Sequence, residues 1–256
     1  MPDIHFADIS EWQANIDADA YIGGGHRVII CRTHNGNRPD RMIPARRDYL
    51  RSKPFVALGW YQYLVRNRDA AQQAREFMAT VGEIGLNEFP VLDLEEGTGD
   101  QVGRANAWFA VVDRWAGFQS TLYAGASMLK GQIGGSARWG RRPLWIASYP
   151  ATYTANPRFE PPGNTFWQYS DRKTFPGLAG GNDGNIYHGT AEQFLARVRG
   201  GRTAPVAPPP ELDVAVARNG DLLEEFAERP DGEIWHRWQR GEGTPWSDWY
   251  SMGKPG

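Results

Sequence analysis

FPVLDLEEG, residues 89–97, joins an apolar run to a cluster of acids. Phe89–Leu92 are apolar, and Asp93, Glu95 and Glu96 follow within four positions. Burying an ionised carboxylate without a partner costs several kcal/mol or forces its pKa to move. A strand resolves the conflict, because residues two apart share a face. Asp93 and Glu95 then point one way, and Glu96 points away or opens the turn at Gly97. At the C-terminal end of a barrel strand such residues face the mouth of an active site. The apolar part is wall and the D-x-E part is rim. A strand end turning into solvent would read the same, so the rest of the chain has to discriminate.

Outward from this stretch, similar apolar runs recur. Strands are expected at IHFADIS (4–10), RVIICRT (27–33), FVALGWYQYL (55–64), STLYAG (120–125), PLWIASY (143–149) and NTFWQYS (164–170), with an eighth over residues 185–188 within GNIYH. Continuous apolar runs suit strands buried on both faces. Helical spacing predicts helices over 68–81, with Asn67 as a cap, and over 100–115. The alternation predicts an α/β fold, a parallel β/α (TIM-like) barrel made irregular by missing helices between the late strands. A doubly wound open sheet competes, but no GxGxxG or GxxxxGK[ST] loop supports it.

The acid-at-strand-end arrangement repeats at Asp8, after IHFA, and at Asp183 in GGNDGN. Acids far apart in sequence can therefore converge on one mouth. Glycosidic cleavage needs two: a protonated acid for the leaving oxygen and an ionised group supporting the developing positive charge. Mutual repulsion raises the pKa of at least one and supplies that acid near neutral pH. Trp12, Trp60, Tyr61, Tyr63, Trp145, Tyr149, Trp167 and Tyr169 cluster at the same ends. Aromatic planes suit the C–H faces of sugars, although each ring alone reads first as core, where large aromatics mostly lie. Gln13, Gln62 and Gln168 lie beside aromatics and suit hydroxyl or amide groups.

Composition narrows the remaining classes. Of 256 residues, 41% are hydrophobic, enough for a sizeable core, and no apolar run approaches a membrane span. The start, MPDIHFADIS, has no signal-peptide pattern, so synthesis in a cytoplasm is expected. Cys31 is the only cysteine and sits in an apolar run, so it reads as core and excludes an intramolecular disulfide. The five histidines lack metal-site spacing and no G-x-S-x-G elbow occurs; no metal or cofactor is expected. No Lys/Arg stripe suggests nucleic acid. Arg38, Arg41, Arg46, Arg47 and Arg51 have roughly helical spacing and suit a solvated face.

RGGRTAPVAPPP, residues 199–210, reads as an extended linker, because Gly-Gly and four prolines stop helices and central strands. It divides a barrel, 1–198, from a tail, 211–256. The net charge of −2 splits unevenly: the tail carries −5 and residues 1–210 carry +3. A mildly basic body suits an anionic target surface. Trp235, Trp238, Trp246 and Trp249 lie in the tail, where apolar alternation around Pro-Asp-Gly reads as short antiparallel strands. The tail resembles one blade of a tandem-repeat β-propeller lectin. So few residues bury too little for reliable independent stability, so it is expected to pack on the barrel, on other copies in a homo-oligomer, or on a partner. Its tryptophans read either as a wall-carbohydrate surface or as blade core.

FADISEWQ, GWYQYL, PVLDLEEG, LWIASY, FWQYSD and NDGNIYHGT occur in the order seen in glycoside hydrolase family 25, the Chalaropsis-type lysozymes, and the resemblance spans about residues 3–198. It implies a flattened, irregular β/α barrel. The implied activity is metal-free hydrolysis of the β-1,4 bond between N-acetylmuramic acid and N-acetylglucosamine in the peptidoglycan glycan strand. By the resemblance, Glu95 matches the general acid and Asp93 the carboxylate that orients the 2-acetamido group. Asp8 and Asp183 match two further cleft acids, and Asp40 matches a substrate-side aspartate. Trp12, Gln13, Tyr61, Tyr63, Trp145, Tyr149, Trp167 and Gln168 are the expected substrate contacts. Gln62 departs from the family, standing where histidine is common. The expected protein is a phage or bacterial lysin, free or virion-associated, acting at the cell wall. Two rivals are a non-catalytic wall-binding or virion structural protein and a glycosidase acting on chitin.

Overall fold

The computed structural model describes residues 3–13, 16–149, 165–200, 214–219, 222–228, 234–239 and 250–253. Eight strands close a barrel in chain order: β1 (Asp3–Ile9), β2 (Val28–His34), β3 (Ala57–Tyr63), β4 (Glu88–Asp93), β5 (Thr121–Gly125), β6 (Leu144–Ala147), β7 (Phe166–Lys173) and β8 (Asn182–His188). Among the described residues, seven helices belong to the same unit: α1 (Ala18–Gly23), α2 (Ile43–Arg51), α3 (Ala70–Val81), α4 (Gln101–Ala116), α5 (Ala126–Gly131), α6 (Gly135–Arg138) and α7 (Ala191–Val198). The predicted α/β barrel is present. It departs from the all-parallel expectation at β8, which pairs antiparallel with both β1 and β7. Only residues 174–181 join β7 to β8. A parallel crossover needs about a dozen residues or more, so this connection allows only a hairpin.

Strand parity sorts the apolar residues into two cores. Phe6, Val28, Ile30, Phe89, Val91, Trp145 and Phe166 point into the barrel, where they meet Phe194 and Val198 of α7. The Phe194 ring lies 5.0 Å from Phe6, 4.9 Å from Phe166 and 5.6 Å from Phe89, so α7 closes the end where the parallel strands begin. The alternate residues, among them Ile29, Cys31, Trp60, Leu92 and Leu94, face outward and pack with Phe77 of α3 and Trp108 of α4. Gly59 is the small residue that admits its neighbour: a Cβ there would lie 2.7 Å from Phe89 Cζ. Burial pushes the Cys31 thiol up to about 12, as suits an inert core cysteine.

Two local expectations change. The cap of α3 is Asp69, not Asn67; its carboxylate accepts from Gln72 N at 2.7 Å. The arginine cluster is not one solvated face, because α2 begins only at Ile43. Arg46 is buried and donates to Ser10 O at 2.5 Å, while Arg51 pairs bidentately with Glu88 at 2.7 and 2.9 Å.

The chain divides into residues 1–201 and 202–256. The second unit holds an antiparallel meander, β9 (Val214–Asn219), β10 (Leu222–Glu228), β11 (Ile234–Gln239) and β12 (Tyr250–Gly253). Most of the expected linker, from residue 201 onward, and the tail tryptophan side chains lie outside the described residues. Among the described residues, no helix is long and apolar enough to cross a membrane, and no cluster of His, Cys, Asp or Glu could hold a metal.

Candidate active site

The parallel strands end at a cleft of about 280 Å³. Asp8, Asp93, Glu95 and Asp183 all line it, with Ser10, Trp12, Arg32, Tyr61, Tyr63, Tyr123, Trp145, Tyr149 and Gln168. Asp93 ends β4 and Glu95 lies two residues beyond, so the inward parity of Phe89 and Val91 carries both acids to the mouth. Asp183 reaches the same mouth from the start of β8, because that strand runs backwards. Its register partner is Asp8 on β1.

Each acid has its own environment. Asp8 is buried, and its Oδ2 accepts from Gln168 Nε2 at 2.9 Å and Asn185 Nδ2 at 2.8 Å. Burial pushes its carboxyl up to about 6 against the pull of those two hydrogen bonds. Asp183 is pushed up to about 8, by burial first and then by the charge of Asp8. Opposed carboxyls of this kind hold a proton between them rather than ionise together. Asp93 is buried, and its Oδ1 has no hydrogen-bond partner among the described residues. Burial, then the charges of Glu95 and Asp8, push it well above the carboxylate range, while Arg32 pulls it down. Glu95 is exposed at the rim yet faces into the cleft, whose walls raise its pKa; a hydrogen bond from Tyr123 opposes the shift.

Gln168 links the acids to the tyrosines. Its Nε2 faces the Asp8 carboxylate, so its Oε1 accepts from Tyr149 Oη at 2.5 Å and lies 2.8 Å from Tyr123 Oη, competing with Glu95 for that hydroxyl's single proton. The cleft can therefore offer an acid of raised pKa at Glu95, a buried carboxyl oxygen without a hydrogen-bond partner among the described residues at Asp93, and a carboxyl pair sharing a proton. Aromatic faces stand beside them.

Ten of the thirteen residues expected in the site line this cleft: Glu95, Asp93, Asp8, Asp183, Trp12, Tyr61, Tyr63, Trp145, Tyr149 and Gln168. Three do not. Gln13 folds back so that its Oε1 accepts from Ser10 N at 2.9 Å. Trp167 is 2% exposed, and its indole donates to Ser148 O. Asp40 is buried away from the cleft and accepts from Glu11 N, Met42 N and Arg32 Nε. Gln62 also faces outward, where its Oε1 accepts from Trp108 Nε1 at 2.7 Å. Sequence reasoning missed Arg32, Tyr123 and Ser10. Inward parity from Ile30 to Arg32, and the position of Tyr123 within STLYAG, were the available signals.

A barrel with several acids gathered at its strand ends and sugar-compatible aromatics around them is the equipment of a glycoside hydrolase. The chain belongs to glycosyl hydrolases family 25, whose description matches residues 7–178. It is 28% identical over 219 residues to the uncharacterized protein YegX of Escherichia coli strain K12, covering 79% of this chain and 76% of that protein. The fold is similar to the bacterial lysozyme of Streptomyces coelicolor, with 22% identity, coverage of 78% and 98%, and a TM-score of 0.67. It is also similar to the catalytic domain of endolysin ply40 from bacteriophage P40 of Listeria monocytogenes, with 21% identity, coverage of 78% and 98%, and a TM-score of 0.63.

Proposed function

We propose that the chain is an N-acetylmuramidase that hydrolyses the β-1,4 bond between N-acetylmuramic acid and N-acetylglucosamine in peptidoglycan. The observation that carries the reading is Asp93 Oδ1, a buried oxygen with no hydrogen-bond partner among the described residues, at the end of β4 and two residues before a rim acid that lines the same cleft. An N–H of a substrate 2-acetamido group would supply the missing donor. Family membership and the likeness in fold to a bacterial lysozyme, a muramidase and the catalytic domain of an endolysin support the same substrate class.

In this mechanism protonated Glu95 gives its proton to the leaving glycosidic oxygen. The acetamido carbonyl oxygen attacks the anomeric carbon as the glycosidic bond breaks, and Asp93 accepts from the acetamido N–H. Water then opens the cyclic intermediate, losing its proton to Glu95. Asp8 and Asp183, with one proton between them, place a negative charge near the developing positive ring. We also infer a lytic role at the bacterial wall, as a phage or bacterial lysin, with residues 211–256 as a separate propeller-blade-like module. The four-strand antiparallel meander there supports that part of the reading.

Mass spectrometry of digested peptidoglycan tests the proposal. New reducing ends on N-acetylmuramic acid are expected. New ends on N-acetylglucosamine, or cleavage of chitin oligomers with indifference to peptidoglycan, would overturn it.

A further inference from the structure

Two buried amides grip a single oxygen of the acid pair. Asp8 Oδ2 accepts from Asn185 Nδ2 at 2.8 Å and from Gln168 Nε2 at 2.9 Å. The groups behind them set their orientation. Asn185 Oδ1 lies 2.8 Å from the Trp145 indole nitrogen, which can only donate, so the Asn185 amino group must point the other way. Its two N–H groups go to Asp8 Oδ2 and, at 3.2 Å, to Phe6 O. The Asn185 amide is therefore oriented without reference to any carboxyl proton. Gln168 agrees with it: its Oε1 accepts from the Tyr149 hydroxyl, and its amino group turns to the same Asp8 oxygen.

Asp183 has no such support. It stands opposite Asp8 in the ladder and hydrogen-bonds to Asp8 itself, and neither amide donates to it among the described residues. Two N–H donors on one oxygen favour the ionised carboxylate there, and a carboxyl whose partner is a carboxylate must supply the proton between them. The other charged groups do not separate the two acids in this way. Glu95 repels charge on both, Asp93 on Asp8 and Asp171 on Asp183. Arg32 lines the same cleft but spends its hydrogen bonds on Asp40 and Glu11. Burial keeps the tyrosines that face Asp8, namely Tyr21, Tyr61, Tyr123 and Tyr149, as neutral phenols. Burial raises both carboxyls of the pair in the same order, to about 6 for Asp8 and about 8 for Asp183.

We propose that Gln168 and Asn185 are positioning residues that make Asp8 the ionised member of the acid pair and leave the shared proton on Asp183. The negative charge beside the developing positive ring then belongs to Asp8, and Asp183 is the neutral acid bonded to it. Gln168 acts through Asp8 rather than by touching substrate. The consequence for rate rests on the muramidase reading; the placement of the proton does not.

The test uses the full chain with its aspartate side-chain carboxyls labelled with carbon-13. NMR signals are assigned by their loss in Asp8→Asn and Asp183→Asn. In wild type at about pH 7, Asp8 is expected at its ionised position and Asp183 at its protonated one. Gln168→Met removes one donor at similar volume. It should move the acid limb of kcat/KM on peptidoglycan up by about one pH unit, because Asp8 then ionises only at lower proton concentration. Asn185→Leu should move the limb the same way. A purely structural role would lower kcat/KM at every pH and leave the limb in place. Reversed NMR positions, or an unmoved limb in folded Gln168→Met, would overturn the proposal. Should the variants fail to fold, the wild-type titration decides alone. Failure of wild type to cut peptidoglycan would overturn the muramidase reading instead, with the NMR titration still deciding where the proton sits.

Discussion

Asp8 on β1 and Asp183 on β8 stand directly opposite each other in an antiparallel ladder, at the mouth of a barrel whose other pairings are parallel except β7–β8. Opposed residues in such a ladder put their side chains on the same face, close enough to interact. Two carboxyls are thus held together by the backbone itself. The fold carries an electrostatic cost there that a glutamine or asparagine would avoid.

The sign of that cost sets its pH dependence. Asp183 is raised from 3.8 to about 8 in the folded chain. Its favourable contribution is fully present below about pH 4 and is lost as pH rises through about 8. Asp183→Asn removes the titration and lets the new amide donate to Asp8. The variant should be more stable than wild type by about 1–3 kcal/mol at pH 8, with the gain vanishing near pH 4. Urea denaturation across that range measures it; a gain that is flat or grows toward acid pH would contradict the pairing.

Glu95 is expected to act only while protonated. Its pKa lies above the ordinary glutamate value, so activity should fall as pH rises through that raised value. Glu95→Gln should lower kcat by about 10²–10⁴-fold while leaving the circular dichroism spectrum unchanged. Retained turnover with a normal spectrum would remove Glu95 from the proton-donor role.

Tyr123 supplies a finer test of the same acid. Its hydroxyl hydrogen-bonds Glu95 and lowers the carboxyl's pKa against the effect of burial. Removing that donor in Tyr123→Phe withdraws support from the ionised form. The alkaline limb of kcat/KM should therefore move to higher pH, not lower. A limb that stays in place would show that the hydroxyl serves Gln168 alone, which it meets at 2.8 Å.

Strand parity explains which parts of this site were legible. Asp93 and Glu95 could be read from FPVLDLEEG because alternation is a local property of the chain. Asp8 followed by the same reasoning, whereas the reversed direction of β8 depends on the short link after β7. Trp167 and Gln168 were both expected to touch substrate, yet adjacent strand residues point to opposite faces, so at most one could. The phase of β7 was fixed only by Phe166 entering the barrel core. Tyr61 and Gln62 split in the same way. Arg32 lines the cleft but gave no local signal, because the acids that orient it, Glu11 and Asp40, lie on separate loops.

Gln62 tests that parity argument directly. It is fully buried between barrel and helix, with its Oε1 accepting from the Trp108 indole at 2.7 Å. Gln62→Leu leaves a buried indole N–H without an acceptor and should cost about 1–3 kcal/mol of stability. KM for glycan should not change, because the side chain does not reach the cleft. A raised KM with unchanged stability would place Gln62 on the substrate side after all.

Trp12 and Trp167 make the opposite comparison. Trp12 is 81% exposed and lines the cleft, whereas Trp167 is 2% exposed and packs with Tyr169 and Ile186 on the outer wall. Trp12→Ala removes an aromatic face available to a sugar and almost no packing. It should raise KM about 2- to 10-fold, from a stacking contribution of about 0.5–1.5 kcal/mol, and change stability by less than about 0.5 kcal/mol. Trp167→Ala empties a packed site and should cost about 3–5 kcal/mol in stability, with KM unchanged in the fraction that stays folded. Thermal denaturation and glycan-hydrolysis kinetics on the two variants separate the roles. If Trp12→Ala behaved as the destabilising change and Trp167→Ala as the KM change, the assignment of inner and outer faces at this rim would be reversed.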